Sequence, residues 1–129
     1  MDIKNFEEAL QGGIKLTSVS PNEWKVEASA SFLDGKPLDI RLVNAGSKWF
    51  FTDKKQTLRF MNEVYELNAK DVKACISAVL KIYGFSIQSG ALMAEVTSAS
   101  VIWDKLFDYI MCVGQLTNMF AFFDEPQYC

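Results

Sequence analysis

The feature that most constrains this chain is a change of apolar period near Asp53. Before it, apolar residues recur at every second position: Trp24, Val26, Ala28, Ala30 and Phe32, then Leu38, Ile40 and Leu42. Strict alternation places one row of side chains on a buried face and the next on a solvated one, which is the pattern of an antiparallel strand. After it, Leu58, Phe60, Met61, Val64, Tyr65 and Leu67 recur at helical spacing. The chain must therefore pass from sheet to helix through "TDKK", Thr52 to Lys55.

Turn residues divide the alternating half into strands. "IKLTSVS" precedes Pro21–Asn22, Asp34–Gly35 separates "EWKVEASASF" from "LDIRLV", and "NAGS" leads into "KWFFT". Residues 14–52 thus predict a four-stranded antiparallel meander. Ile3, Phe6 and Leu10 put an apolar stripe on a short N-terminal helix that Gly12–Gly13 would end. Past the second helix, Asn68 with Asp71 three residues on resembles a capping box, opening a helix through Val72, Cys75, Ile76, Val79 and Tyr83 that Gly84 closes. "FSIQSGALMAEV" predicts a hairpin about Ser89–Gly90, and Ser98 or Ser100 caps a long last helix from Val101 to about Phe123. The expected architecture is α+β: a four-stranded meander packed against three to four helices, with an extra hairpin before a long C-terminal helix, as one domain over residues 1–129.

Composition removes several chemistries. With no histidine in 129 residues, a Ser-His-Asp triad, a Cys-His pair and a histidine metal site are excluded. Neither common phosphate-binding glycine loop occurs. Three cysteines, Cys75, Cys112 and Cys129, lack metal-site spacing and give no disulfide framework, which fits a reducing cytoplasm. No cofactor or metal is expected, and the chain is expected not to be an enzyme. "YIMCVGQLTNMFAFF" is too short and too polar to span a bilayer, so a buried helix is expected there and no membrane.

Three partner readings follow from charge and apolarity. Residues 1–81 carry 12 basic against 11 acidic side chains, whereas residues 82–129 carry Lys105 against five acids. Asp104, Asp108, Asp124 and Glu125, with Met119 and Phe123 at the apolar end of the last helix, are the candidate contacts to a host protein or complex. The apolar arc of that helix is wider than one small sheet needs, so a homodimer through it is a second expectation. Lys48, Lys54, Lys55 and Arg59, interleaved with Trp49, Phe50 and Phe51, form an alternative nucleic-acid patch. Alternation puts Trp49 and Phe51 on one face and Phe50 on the other, so part of this aromatic set is expected in the core. Asp53 is expected to be structural, accepting N–H bonds where the helix begins.

The order of elements resembles the small domain of unknown function 1828, met largely in bacterial, phage and prophage proteins. "FLDGKPLDIRLV", "WFFTDKKQTLRFM" with Thr52 and Asp53, "ISAVLKIYGFSIQSGALMAEV" and the helix from Val101 carry the likeness, over roughly residues 23–118. Lys54–Lys55 stand where that family's turn usually has a glycine, and Ala30-Ser31-Phe32 where Thr-Pro-Phe is common. The resemblance implies no agreed activity. It implies the company of mobile elements, and with it an inhibitor of a host defence complex, anti-CRISPR-like in action.

Overall fold

The computed structural model describes residues 2–10, 14–27 and 38–118. Its elements are α1 (Ile3–Ala9), β1 (Lys15–Ser20), β2 (Glu23–Glu27), β3 (Arg41–Ala45), β4 (Lys48–Thr52), α2 (Gln56–Val64), α3 (Lys70–Tyr83), β5 (Ser86–Gln88), β6 (Ala91–Glu95) and α4 (Ile102–Thr117), with a 3-10 turn at Ala99–Val101 before the last. The protein is α+β. The predicted meander is present, but the sheet is larger than four strands. All six strands join one antiparallel sheet in the order β1-β2-β3-β4-β6-β5. The hairpin expected as an addition is therefore part of the same sheet, joined to β4 through β6 rather than β5, with Phe51 opposite Ala94 and Thr52 opposite Met93.

Alternation sorts the sheet into two faces. Leu16, Val26, Leu42, Trp49, Phe51, Leu92 and Ala94 are buried on one face, and α4 supplies Ile102, Leu106, Tyr109, Cys112, Val113 and Leu116 to the same core. On the other face, one row crosses all six strands: Thr17, Lys25, Arg41, Thr52, Met93 and Ser86. Trp49 and Phe51 are core while Phe50 is only half-buried, as alternation requires. Ala28, Ala30, Phe32, the Asp34–Gly35 turn and Gly12–Gly13 lie outside the described residues.

Element ends depart from expectation in three places. The first helix, capped by Asp2 in a reciprocal capping box with Asn5, ends at Ala9, where Leu10 turns extended, and so stops short of the expected Gly12–Gly13. The third helix begins at Lys70 behind Ala69, with no side-chain cap, so Asn68 belongs to the preceding turn. Asp71 still sits in the first turn, where its charge suits the helix dipole. The last helix starts at Ile102 after the 3-10 turn, with no hydrogen bond from either serine to its backbone; Ser98 and Ser100 instead bond each other at 3.0 Å. It ends at Thr117, where Asn118 N–H bonds Gly114 O, and its expected extension to Phe123 lies outside the described residues.

Candidate functional site

The sheet-to-helix turn is built around a fully buried carboxylate. Asp53 Oδ1 accepts from Lys55 N at 2.9 Å and from Leu92 N at 3.1 Å, and Oδ2 accepts from Thr57 N at 2.9 Å. A buried charge needs such donors, since an unpaired one is heavily penalised. Two of the three tie the first turn of α2, and the third reaches into β6. Lys54 and Lys55 follow with φ of 55° and 71°, in the left-handed region that favours glycine. The stem of Lys55 then lies 3.6 Å from the Cβ position of Gly90, so this turn packs against the β5–β6 turn. Every Asp53 acceptor is consumed by backbone, as a structural role demands.

The four basic residues of the alternative patch are not gathered into one site. Lys54 Nζ bridges Glu23 at 2.7 Å, and Glu23 also takes Arg41 at 2.6 Å, while Arg41 grips Asp39 through Nε at 2.7 Å and a second nitrogen at 2.9 Å. Two carboxylates thus neutralise two cations on the outer sheet face. Hydrogen bonding from Lys54, then the charges of Lys54 and Arg41, holds the Glu23 carboxyl below its ordinary range; Arg41 does the same for Asp39. Lys55 and Arg59 are exposed at the start of α2, but Lys48 lies at the far end of β4, about 13 Å away for four strand steps. With Trp49 and Phe51 buried, two of the three aromatics cannot stack on a base.

The last helix presents a different surface. Its inward face is packed solid, from Ile102 to Thr117. Its outward face carries Asp104, Phe107, Asp108, Met111 and Gln115, all reached by steps of three or four residues. Phe107 is 59% exposed and Met111 44%. Trp103, Ile110 and Gly114 border them, half-buried. Asp104 is exposed and Asp108 half-buried toward Tyr83, whose hydroxyl accepts from Gln115 Nε2 at 2.7 Å. The one cation of this helix, Lys105, is turned aside over the Phe85 ring at 5.7 Å from its centre.

Of the predicted partner residues, then, Asp104 and Asp108 share the outward face, whereas Met119, Phe123, Asp124 and Glu125 lie outside the described residues. Phe107 and Met111 were the residues missed as surface. The signal was available: they fall at i+3 and i+7 from Asp104, inside the polar stripe rather than opposite it.

Both described thiols are held toward their protonated form. Burial, with the Asp108 carboxylate adding to it, pushes Cys112 up to about 12, and burial also raises Cys75. Among the described residues no group of three or more acids or cysteines is placed to hold a metal, and no helix is long and apolar enough to cross a membrane. Compared with protein-family models, curated proteins and solved structures, the chain has no significant match.

Proposed function

We propose that this chain is a non-enzymatic binding module that engages another protein through the outward face of α4. The observation carrying the reading is the exposure of Phe107 and Met111, neighbours one turn apart on a helix whose opposite face is fully packed. Large apolar side chains side by side on a surface favour removal from water by a partner, and Phe and Met are enriched where proteins meet. The carboxylates of Asp104 and Asp108 beside them give the contact a charge preference. The narrower reading, an inhibitor that occupies a host defence complex, draws its support from the resemblance to phage and prophage proteins and from the acidic C-terminal third.

The test is a comparison of affinity captures from bacterial lysate, wild type against the double variant Phe107→Ser, Met111→Ser, each at two salt concentrations and read by mass spectrometry. A stoichiometric protein retained by the wild type and lost by the variant supports the reading. Identical captures sink it, and nucleic acid released by salt from both would move the binding surface to Lys55 and Arg59.

A further inference from the structure

The geometry points to an α-helix with a basic edge, supplied by another protein, as the occupant of the α4 face. The inference rests on the reading just given and narrows it. Phe107, Ile110, Met111 and Gly114 stand at i, i+3, i+4 and i+7. That is the diamond of four residues into which a neighbouring helix inserts one side chain. At its fourth corner the glycine leaves the diamond open: among the described residues a Cβ built on Gly114 meets nothing within 4 Å. Glycine is a poor choice inside a helix for folding alone, and here no atom of the described residues comes within 4 Å of the position its missing Cβ would take. Phe107 and Met111 form the exposed ridge beside this opening, and helices approach one another to about 8–10 Å when such a ridge meets a groove.

Charge decides between a second copy and a different protein. Asp104 and Asp108 line one edge of the face, and Lys105 is directed away over Phe85. In an antiparallel pair of identical helices, like edges meet, so two copies would bring four carboxylates together with no cation from either α4. In a parallel pair the acidic edge would meet the partner's opposite edge, bounded by Ile110 and by Leu106, which is buried. Neither arrangement pairs the carboxylates. A helix with Lys or Arg along the facing edge does, and such complementarity sets both partner choice and orientation.

Two fluorescein-labelled helical peptides of about three heptads test this. They share a Leu/Ala seam and differ only at the edges, Lys in one and Glu in the other. Each is titrated by fluorescence anisotropy against the full chain, with thermal melts confirming that every variant is folded. The Lys-edged peptide is expected to bind at least about tenfold tighter than the Glu-edged one. Gly114→Leu, which fills the diamond without altering charge, is expected to abolish that binding. Asp104→Lys with Asp108→Lys is expected to invert the preference. Binding by neither peptide, equal binding by both, or indifference to Gly114→Leu would overturn the proposal. A dimer in sedimentation that Gly114→Leu dissolves and the Lys-edged peptide leaves untouched would overturn it in favour of a second copy. If the Phe107→Ser, Met111→Ser variant loses a lysate partner while neither peptide binds, the face is a docking surface and only the helical class of its partner is wrong. If that variant loses nothing, the broader reading fails as well.

Discussion

The backbone N–H of Leu92 donates to the carboxylate of Asp53 at 3.1 Å, across 39 positions of sequence. The register explains why. Thr52 opposes Met93, so the next rung would join residue 53 to Leu92, but β4 ends at Thr52 and the chain turns away into α2. The Asp53 side chain supplies the acceptor that the departing backbone no longer offers. The carbonyl of the same residue, Leu92 O, accepts from the Tyr109 hydroxyl at 2.7 Å. Sheet, turn and α4 are thereby fastened at one point.

Asp53→Ala strips the acceptor from three buried or half-buried N–H groups at once. Each orphaned donor costs on the order of 1–3 kcal/mol, so the loss is expected to reach about 3 kcal/mol or more and to lower the thermal midpoint by roughly 10 °C. Asp53→Asn keeps one oxygen for Lys55 and Leu92 but turns its NH2 toward the Thr57 N–H, and is expected to lose about 1–3 kcal/mol. Calorimetry decides it. A folded Asp53→Asn protein with wild-type stability would mean that the carboxylate is kept for chemistry rather than for the fold.

Lys55 occupies the left-handed region with φ of 71° and caps α2 without any side-chain hydrogen bond. A non-glycine residue there costs about 1–2 kcal/mol, and glycine gives back about 0.5–1 kcal/mol in chain entropy. Lys55→Gly is therefore expected to stabilise by about 0.5 kcal/mol, and Lys55→Val to destabilise because a β-branched side chain tolerates positive φ least. Lys54→Gly is expected to gain less, since Lys54 also bridges Glu23. Urea midpoints of the three variants give the order directly, and Lys55→Gly falling below the wild type would contradict this account of the turn.

How far the sequence foretells this fold depends on the kind of contact. Alternation was enough to place Leu38, Ile40 and Leu42 inward and to separate Phe50 from Trp49 and Phe51, because each depends only on neighbours along one strand. The pairing of β4 with β6 was not legible, because it is set by a register between segments that are distant in sequence. Asn68 misled for a local reason: a cap residue and an acid three positions later also occur in a turn, and the helix waited for Lys70. On α4, a tally of apolar residues concealed Phe107 and Met111, and only their angular position among Asp104, Asp108 and Gln115 would have revealed them.

Acid should weaken the outer sheet face through Glu23 and Asp39. Both carboxyls are held below their ordinary values in the folded chain, Glu23 chiefly by hydrogen bonding from Lys54 and Asp39 chiefly by hydrogen bonding from Arg41. A depressed folded value means that the unfolded chain binds the proton first. The stabilisation is thus complete above the ordinary carboxylate range and is lost as pH falls from about 4.5 through the lower folded values. Arg41→Gln removes the partner that Asp39 depends on and one of two that Glu23 uses. It is expected to be less stable than the wild type at pH 7, with the difference shrinking toward pH 3. Denaturant midpoints at pH 7, 5, 4 and 3 measure the gap, and a gap that does not change with pH would remove the network from the acid response.

Gly114 separates folding from binding by sign. In the helix interior, alanine is better than glycine by about 0.8–1.0 kcal/mol, and the added methyl meets no atom of the described residues within 4 Å. Near the end of α4, where Asn118 and Thr117 already bond to the Gly114 carbonyl, a gain of about 0.5–1 kcal/mol is expected for Gly114→Ala. The same methyl protrudes into the diamond of Phe107, Ile110 and Met111, so affinity for the Lys-edged peptide is expected to fall severalfold while the thermal midpoint rises. Opposite movement of the two readouts would show that glycine is held there against the preference of the fold, for the approach of another helix. A rise in stability with unchanged affinity would leave Gly114 without a binding role, and the occupant of the face would then have to be read from Phe107 and Met111 alone.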